Sequence, residues 1–496
     1  MLVGKNASGM YVIDEDYKII SYNLAAREIY PQLKRGEKCY HCLRNRETPC
    51  EICPVVNGIK GPKNYLEPGR NILRSVDAVE IPLESGGTGH ALVFSDTETN
   101  DEIMKIKLNE NYKNLKKSYL FSEIAKRVKA YGAENPDKKI IRLGIGDVTL
   151  PLTKSVTDAM TAAVAEMGKK ETFRGYAPEY GYDFLREAIS RYYKRFGTDV
   201  PAEEIFVSDG AKSDVGNITE IFGDNPVLIP DPVYPVYFDS NVMSGRDVTF
   251  IRADEKNGFL PTPAGLSGEG YIIYLCSPNN PTGAVYDHEG LAEWVNFALS
   301  TGSLVIYDSA YEAYINGNYP HTIYEIEGAR ACAIEICSFS KTAGFTGTRC
   351  SWTVVPSELS ADDMSLREMW ERRQATKFNG VPYVVQRGAE AALSGTGIAE
   401  CHALVTYYME NAAMIAGVLR EKGIFFTGGT SSPYIWMRCT GGMDSWSFFD
   451  ALLHGVQVVG TPGAGFGACG EGYFRLTSFA SREATAEAVE RLRAFL

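Results

Sequence analysis

Residues 332–349 read CAIEICSFSKTAGFTGTR, and this stretch decides which fold and which chemistry the rest of the chain must fit. The apolar run CAIEICSF is typical of a strand that is buried on both faces of a parallel α/β sheet. Lys341 follows that run directly, so we predict that it lies at a strand's carboxyl end, where open α/β sheets bind ligands. Ser338, Ser340 and Arg349 flank it with donors suited to a phosphate. A surface loop that carries one lysine is the alternative that this segment alone leaves open.

Polar residues follow two other apolar runs in the same way. Residues 303–314, SLVIYDSAYEAY, place Asp308 directly after a strand and Tyr311 one turn later. Residues 271–284, YIIYLCSPNNPTGA, place Asn280 after another strand. Taken singly, Asp308 is equally typical of a helix N-cap, and Asn280, which precedes a proline, of a turn. Three such strand ends in chain order favour one shared crevice.

A lysine, an acid and several hydrogen-bond donors in one crevice are what a pyridoxal-phosphate enzyme needs. The lysine holds the cofactor as a Schiff base and later moves the proton, and the acid keeps the pyridine nitrogen protonated. We therefore predict Lys341 as the lysine and Asp308 as the acid. Asn280 and Tyr311 are predicted to donate to the ring oxygen.

Two further segments supply anion-binding groups. Residues 207–217, VSDGAKSDVGN, predict a helix N-terminus after a strand, with Ala211 and Lys212 at a turn suited to phosphate. Residues 471–479, EGYFRLTSF, carry Arg475, whose rigid fork suits the α-carboxylate of a substrate. Read alone, Arg475 is more typical of a solvated strand residue, and only the other predicted site residues favour a binding role.

From about residue 106 to its end, the chain resembles the fold-type I, class I/II aminotransferases that use pyridoxal phosphate, and among them the LL-diaminopimelate aminotransferases. The segments NNPTG and SFSK occur in many aminotransferases, whereas TAGFTGTRC and the N-terminal runs are more specific. The resemblance is carried by SYLFSEIAKRV, RLGIGDVTLPL, RGYAPEYGY, SDGAKSDVGN, DPVYPVY, SPNNPTGA, SFSKTAGFTGTRC, RRQATKFNG, PYIWMR and GTPGAGFG before EGYFRL. It implies an α/β fold with a mostly parallel central sheet flanked by helices, and a small α+β domain built from the chain ends.

The resemblance also implies roles for individual residues. The catalytic residues would be Lys341, Asp308 and Tyr311. The residues that hold the cofactor would be Ala211, Lys212, Tyr234, Asn280, Asp308, Tyr311, Ser338, Ser340, Lys341 and Arg349, with Tyr234 stacked near the ring. The residues that contact substrate would be Tyr119, Gly146, Tyr176, Lys212, Asn379 and Arg475, with Tyr176 and Asn379 placed at the subunit interface of a homodimer.

The reaction that the resemblance implies converts tetrahydrodipicolinate to LL-diaminopimelate with glutamate as amino donor, in lysine and cell-wall synthesis. The chain departs from the family pattern at Cys337, where an arginine is frequent, and at Ser431 and Ser432, where an Asn-Ala pair is usual. Two alternatives remain. One is an aminotransferase for aspartate or aromatic substrates, and the other is a ligand-sensing regulator that only binds the cofactor. Such regulators usually carry a basic helix-turn-helix segment, which the first hundred residues lack.

The first hundred residues differ from the rest in their pattern of predicted strands and helices. Residues 9–30 read as a strand, a turn, a second strand and a short helix, and residues 76–96 read as two more strands. The order of these pieces resembles a PAS domain over roughly residues 8–98. The predicted organisation is a PAS-like sensor at 1–100, a linker and N-terminal arm at 101–117, and an aminotransferase at 118–496, with a large domain at about 160–375 and a small domain from 118–159 and 376–496.

Four cysteines lie close together in the first of these domains. Residues 39–53, CYHCLRNRETPCEIC, contain two C-x-x-C pairs, at Cys39 and Cys42 and at Cys50 and Cys53. Two such pairs can hold a structural zinc ion, with an iron–sulfur cluster as the alternative. The gap between the pairs is shorter than is common in zinc ribbons, so ordinary free thiols are the competing interpretation.

Charge and composition limit the partners. A formal net charge of −12 argues against a general binder of nucleic acid or anionic membranes. The N-terminus lacks the apolar core of a secretory signal, and no run approaches the length of a membrane span. We therefore expect a cytoplasmic protein whose partners are small amino acids and keto acids, with no nucleic acid and no membrane.

Overall fold

The computed structural model describes residues 8–51, 53–58, 63–67, 72–98, 106–115, 120–144 and 146–496. The chain divides into two compact units, Met1–Leu108 and Asn109–Leu496. This boundary lies inside the predicted linker, while the predicted division of the second part at about 160 and 376 stays a prediction. Among the described residues, no helix is both long and apolar enough to cross a membrane.

The first unit contains a five-stranded antiparallel sheet in the order β2-β1-β5-β4-β3. Its strands are β1 (Gly9–Ile13), β2 (Ile19–Tyr22), β3 (Lys63–Glu67), β4 (Ile72–Pro82) and β5 (Thr88–Glu98). Two short helices, Leu24–Ile29 and Cys39–Arg44, follow β2. The elements predicted at 9–30 and 76–96 form where the sequence places them.

Local hydrogen bonds explain how the first unit turns. The Asp14 carboxylate accepts from the backbone N–H groups of Asp16 (3.0 Å) and Lys18 (2.8 Å), which closes the turn between β1 and β2. The Asn23 side chain accepts from the N–H of Ala26 (2.8 Å) and starts the first helix. Both are side-chain-to-backbone bonds that Asp and Asn favour at turns and caps.

The second unit is built on a seven-stranded sheet in the order β7-β13-β12-β11-β10-β8-β9. Every neighbouring pair is parallel except those that involve β13. The strands are β7 (Ile205–Ser208), β8 (Val227–Asp231), β9 (Val248–Arg252), β10 (Ile272–Cys276), β11 (Leu304–Asp308), β12 (Ala333–Ser338) and β13 (Ser351–Val354). The sheet is therefore mixed but mostly parallel, as predicted, and β10, β11 and β12 are direct neighbours in it.

Helices flank this sheet, and most of its strands are buried along their whole length. The strands β10 and β12 are buried at every position, so their sequences are largely apolar, and β12 carries Glu335 and Ser338 as buried polar residues. The described α-helices of the unit are Leu120–Glu134, Lys154–Met167, Asp183–Tyr193, Ala211–Asn217, Val236–Met243, His288–Ser300, Phe339–Thr342, Leu366–Lys377, Tyr383–Ala392, Gly395–Glu421, Ser445–Val456 and Arg482–Phe495.

A second core joins the two ends of this unit. Ile141 and Leu143 pack with Ile415, Phe448 and Leu492 in one buried cluster. The strands of this region are β6 (Ile141–Arg142) paired with β18 (Val458–Val459), and a sheet in the order β16-β17-β20-β19 formed by Phe426–Gly428, Tyr434–Arg438, Tyr473–Thr477 and Thr461–Pro462. A separate small hairpin pairs β14 (Ser360–Ala361) with β15 (Met364–Ser365). This arrangement brings Arg475, on β20, to the seven-stranded sheet.

Candidate active site

A cavity of about 410 Å³ lies where β10, β11 and β12 end. It gathers side chains from segments that are far apart in the sequence. The sequence-predicted residues that line it are Gly146, Ala211, Lys212, Tyr234, Asn280, Asp308, Tyr311, Ser338, Ser340, Lys341, Arg349 and Arg475. The carboxyl ends of parallel strands meet at one edge of a sheet, so their polar residues converge there.

Lys341 lies in the short helix Phe339–Thr342, directly after β12. The helix begins at Ser338, whose hydroxyl accepts from the N–H of Ser340 (3.1 Å). The Lys341 amine donates to the carbonyl of Gly146. Burial lowers the pKa of Lys341 to about 8, against the opposing charge of Asp147. An amine with this pKa has a substantial neutral fraction near physiological pH, as a nucleophile or base requires.

The two cationic residues near Lys341 add to this effect. The charges of Arg475 and Arg349 lower the pKa of Lys341 further, because a like charge disfavours the protonated amine. The cavity therefore combines an amine of lowered pKa with two guanidinium groups.

Asp308 is buried at the end of β11. One of its oxygens accepts from the Tyr237 hydroxyl (2.6 Å), and the other accepts from the N–H of Ala310 (3.0 Å). Burial raises the pKa of Asp308, and these two hydrogen bonds oppose the rise. A carboxylate held in this way is suited to pair with a buried cationic ring nitrogen, which would offset the cost of its burial.

Hydrogen bonds connect the remaining polar groups across the cavity. The hydroxyl of Tyr311 lies 2.5 Å from that of Tyr434. Asn280 accepts from the guanidinium of Arg475 at 2.6 Å. The same guanidinium donates to the carbonyl of Gly144 (2.9 Å) and packs over the Tyr434 ring, with 4.6 Å to the ring centroid. Arg475 is only 1% exposed, so its orientation is set by these contacts.

The end of the cavity that is lined by Ala211, Ser340 and Arg349 is suited to a phosphate. The helix Ala211–Asn217 begins there, and the first turn of a helix presents N–H groups that have no carbonyl within the helix. Gly210 has φ 144°, and a Cβ added to it would overlap the guanidinium of Arg349. Arg349 in turn donates to the hydroxyl of Ser340 (3.3 Å). A glycine here is what allows the guanidinium to lie against the start of the helix.

These groups fit pyridoxal phosphate. An amine, a buried carboxylate and a cationic end with a helix N-terminus line one cavity, and each matches one part of that molecule: the aldehyde, the pyridine nitrogen and the phosphate. Lys341 would bind the aldehyde carbon, Asp308 would face the ring nitrogen, and Arg349 would contact the phosphate.

Two described residues that were predicted to contact substrate do not line the cavity. Tyr176 is 87% exposed and Asn379 is exposed, and neither lines the cavity of the single chain. Tyr119 lies outside the described residues. The predicted role of Tyr176 and Asn379 at a subunit interface stays a prediction.

Several cavity residues were not identified from the sequence. Tyr237 binds Asp308, Tyr434 contacts Tyr311, and Asp147 acts on Lys341. Tyr237 and Tyr434 lie in DPVYPVY and PYIWMR, but a tyrosine in an apolar run has no local signal that tells a hydrogen-bonded hydroxyl from a core ring. Asp147 follows Gly146 directly, and that proximity was the available signal.

The residues that depart from the family pattern lie outside the cavity lining. Cys337 is buried, and its thiol lies 2.9 Å from the Ser309 hydroxyl. The Ser431 hydroxyl donates to the carbonyl of Asn316 (3.0 Å), and that of Ser432 accepts from the N–H of Tyr434 (3.2 Å). These serines stabilise the loop before β17 and so support Tyr434.

The predicted zinc site in the first unit is not supported. Among the residues with assigned positions, no group of three or more Cys, His, Asp or Glu side chains is arranged to hold a metal ion. The thiol of Cys42 donates to the Gln32 carbonyl instead (2.6 Å). Burial raises the pKa of Cys39 to about 12, with Cys53 and Cys50 adding to the rise.

Comparisons with known proteins agree with this geometry. The family model for aminotransferase class I and II matches residues 138–492. The LL-diaminopimelate aminotransferase of Agathobacter rectalis is 53% identical over 403 residues, which cover 78% of this chain and 99% of that protein. The LL-diaminopimelate aminotransferase of Prochlorococcus marinus is 52% identical over 409 residues, covering 78% of this chain and all of that protein.

Solved structures give the same picture. The structure of L,L-diaminopimelate aminotransferase from Chlamydomonas reinhardtii matches with a TM-score of 0.75 and 43% identity, over 79% of this chain and 100% of that one. Aspartate aminotransferase from Thermus thermophilus matches with a TM-score of 0.69 and 21% identity, which supports the fold alone. About a fifth of this chain lies outside each match.

Proposed function

The chain belongs to the class I and II aminotransferases, with the fold-type I architecture of that family, and from this premise we propose that it is an LL-diaminopimelate aminotransferase. It would transfer the amino group of glutamate to tetrahydrodipicolinate, reversibly, in lysine and cell-wall synthesis. The observation that carries the proposal is the convergence of Lys341, Asp308, Asn280 and Arg475 around one cavity, in a chain that is 53% identical to such an enzyme over 403 residues.

The proposed chemistry depends on pyridoxal phosphate, which when bound supplies an electron sink for negative charge at the substrate α-carbon. Lys341 Nζ takes the proton from the α-carbon of the amino donor, for which its lowered pKa suits it. In the second half-reaction, the same nitrogen gives a proton to the α-carbon of the acceptor. Tyr237 and the N–H of Ala310 keep the Asp308 carboxylate oriented while it holds its charge toward the ring nitrogen.

Substrate binding is assigned to Arg475, in the middle of β20. Arg475 holds an α-carboxylate, because its guanidinium is fixed by Asn280 and Gly144 before substrate arrives. Gly146 lies beside the amine of Lys341, and a side chain at residue 146 would crowd the Tyr434 hydroxyl at 3.1 Å. With the cofactor bound, Tyr311 and Asn280 would donate to its ring oxygen.

A direct assay tests the substrate. Purified full-length protein loaded with pyridoxal phosphate is given glutamate with tetrahydrodipicolinate, oxaloacetate or phenylpyruvate, and 2-oxoglutarate release is measured. We expect kcat/KM for tetrahydrodipicolinate to exceed that for the other two acceptors by at least about a hundredfold, the range of one or two well-placed polar contacts. A preference for oxaloacetate or phenylpyruvate would instead support the aspartate or aromatic alternative. Cofactor binding without turnover of any acceptor would support the ligand-sensing regulator.

The first unit is proposed to be a PAS-like sensor that tunes the enzyme. Its five-stranded antiparallel sheet, with two described helices between β2 and β3, supports this proposal. So does a cavity of about 820 Å³ in the unit, within the size range of small-molecule sites. Its lining includes the rings of Tyr11, Tyr30 and Phe94 and the thiols of Cys39 and Cys53. Comparing the kinetics of the full chain with those of Asn109–Leu496 tests whether the first unit tunes the enzyme. Equal kinetic constants for the two proteins with every candidate effector would contradict the proposal.

The protein is further proposed to act as a cytoplasmic homodimer on small amino and keto acids. Exposure of Tyr176 and Asn379 in the single chain supports an interface that covers them. Light scattering would give a mass of twice 54.6 kDa for the dimer. A monomeric mass in the active enzyme would contradict the proposal that a partner completes the site.

A further inference from the structure

Asp214 is a buried acid that the proposed chemistry does not use. It lies in the helix Ala211–Asn217 and is 0% exposed. One carboxylate oxygen is within 2.6 Å of two hydroxyls, those of Ser208 and Thr353. Burial raises the pKa of Asp214 to about 7, and the two hydrogen bonds oppose that rise. Burying a carboxylate in such a place costs free energy, so we asked which groups its hydrogen bonds hold in position.

The hydroxyl of Ser208 continues the network toward the start of the helix. It lies 2.7 Å from the hydroxyl of Ser351, its partner in the pairing of β7 with β13. The Ser351 oxygen accepts from the N–H of Gly210 at 3.0 Å. A chain of contacts therefore runs from Asp214 through two serines to the backbone of Gly210.

The direction of these hydrogen bonds follows from counting protons. Each hydroxyl has one proton, and an ionised carboxylate can only accept. Ser208 therefore donates to Asp214, which leaves it to accept from Ser351. Ser351 then has no proton for any other acceptor and receives the N–H of Gly210 on its oxygen. With Asp214 ionised, every donor in the chain points toward the carboxylate.

The backbone at the end of this chain forms the anion-binding end of the cavity. Gly210 is the residue against which the Arg349 guanidinium lies, and Ala211 and Lys212, which line the cavity, follow it directly. Because the Gly210 N–H is directed to Ser351, the turn is held in one conformation, with φ 144° and ψ 138°. Its position fixes where the helix begins and where Arg349 can lie.

We propose that Asp214 is a positioning residue for the phosphate of the cofactor, acting through Ser208, Ser351 and the backbone of Gly210. The inference rests on the proposed function, because it presupposes that pyridoxal phosphate binds in this cavity. It assigns to Asp214 no contact with the cofactor. Its effect is to hold the helix N-terminus and Arg349 in the arrangement that receives a phosphate.

The same carboxylate offers a matched control. Thr353 also donates to Asp214 at 2.6 Å, but the Gly210 N–H is bound by Ser351 and not by Thr353. Ser351 and Thr353 lie on one strand, two residues apart, and both side chains are 0% exposed. Ser351→Ala breaks the chain to Gly210, whereas Thr353→Val removes a hydroxyl from the same carboxylate and leaves that chain intact.

The experiment measures cofactor affinity in full-length protein stripped of cofactor. Dissociation constants are determined for pyridoxal phosphate and for pyridoxal, which lacks the phosphate, and thermal unfolding is recorded for each variant. We expect Ser351→Ala to weaken pyridoxal phosphate by about tenfold, the usual effect of losing one supporting hydrogen bond, and pyridoxal by less than about twofold. Thr353→Val should change both dissociation constants by less than about twofold. It should nevertheless lower the midpoint of thermal unfolding by about as much as Ser351→Ala does.

A double variant adds an independent arm. Asp214→Asn should reduce the preference for pyridoxal phosphate over pyridoxal, and adding Ser351→Ala should reduce it no further, because both changes break one chain. Equal losses for both cofactors, equal losses in Ser351→Ala and Thr353→Val, or additive losses in the double variant would each overturn the inference. Failure of the unchanged protein to bind pyridoxal phosphate would instead overturn the proposed function.

Discussion

The cavity of the second unit and the cysteine turn of the first unit offer an instructive comparison. Both contain residues whose chemistry is evident in the sequence. The cavity residues come from distant segments, and Asn280 and Arg475, 195 residues apart, share a hydrogen bond of 2.6 Å. The four cysteines lie within residues 39–53, yet the described chain shows no metal-holding group there. Proximity in sequence is therefore a poorer guide to a site than the order of strands in a sheet.

The physical reason lies in what fixes each side chain. The strands β10, β11 and β12 are parallel neighbours, so their carboxyl ends and the residues after them must lie side by side. In the cysteine turn, no such pairing of strands fixes where the thiols point. Cys42 lies on a short helix and donates to the carbonyl of Gln32, so the C-x-x-C spacing does not decide where its thiol points.

Replacing Lys341, in the cavity, should have the largest effect on activity. Lys341→Ala removes the amine that we propose both binds the cofactor covalently and moves the α-proton. We expect the visible absorbance of the bound cofactor to disappear and transamination to fall by at least about a thousandfold. Spectra and initial rates with glutamate measure both. The control is Lys422→Ala at an exposed position, which should retain full activity. Appreciable turnover by Lys341→Ala would remove Lys341 from its assigned role.

Replacing Asp308 should have the next largest effect. Asp308→Asn keeps the size of the side chain and an oxygen for the Tyr237 hydroxyl, but it removes the negative charge. Without that charge the ring nitrogen is less readily protonated, so we expect kcat to fall by about a hundredfold while cofactor remains bound.

Steady-state rates and cofactor content of the Asp308 variant check this result. Asp363→Asn is a suitable control, because Asp363 is exposed and has φ 61°, a conformation that asparagine also tolerates. Wild-type kcat in Asp308→Asn would show that the carboxylate does not act on the ring.

The parts of the second unit that were predictable are those set by burial on both faces. Apolar runs marked β10, β11 and β12, and the polar residues after them marked the cavity. The resemblance to aminotransferases then supplied individual roles. What the sequence did not reveal are contacts between distant tyrosines and those residues, such as Tyr237 with Asp308, because no spacing rule relates them.

The first unit shows a different limit. Its strand β3, Lys63–Glu67, has the sequence KNYLE between a Gly-Pro and a Pro-Gly pair, and these flanks are typical of turns. Its pairing with β4 is what makes it a strand, and that is a tertiary effect. The interface roles of Tyr176 and Asn379 depend on a second chain, which a single sequence does not place.

A second buried polar cluster of the second unit should make the free energy of unfolding depend on pH. Glu335 is 0% exposed and accepts from the hydroxyls of Thr322 (2.7 Å) and Tyr193 (2.9 Å). Burial raises the pKa of Glu335 from 4.5 to about 7. Between those values the folded protein keeps a proton that the unfolded chain releases, so this group makes the free energy of unfolding fall as pH rises.

Glu335→Gln cannot ionise and should remove that dependence. The difference in unfolding free energy between pH 4.5 and pH 7 should shrink by up to about 3 kcal/mol, since one pKa unit corresponds to about 1.4 kcal/mol. Chemical denaturation at several pH values measures it. Glu327→Gln, an equal change of charge at an exposed site, should leave the dependence unchanged. An identical pH profile in Glu335→Gln and the wild type would show that Glu335 ionises normally.

The smallest effect is expected where the sequence looked most like a metal site. Replacing Cys39, Cys42, Cys50 and Cys53 together by serine should leave kcat for transamination within about twofold and the zinc content below about a tenth of an equivalent, as in the wild type. The reason is that no metal-holding group is present among the described residues there, and none of the four cysteines lines the cavity that contains Lys341. Elemental analysis and rates of protein purified under reducing conditions check both values. If the wild type carried one equivalent of zinc and the variant none, the short C-x-x-C spacing would be good evidence for a metal site after all. The difference drawn here between the two regions would then be wrong.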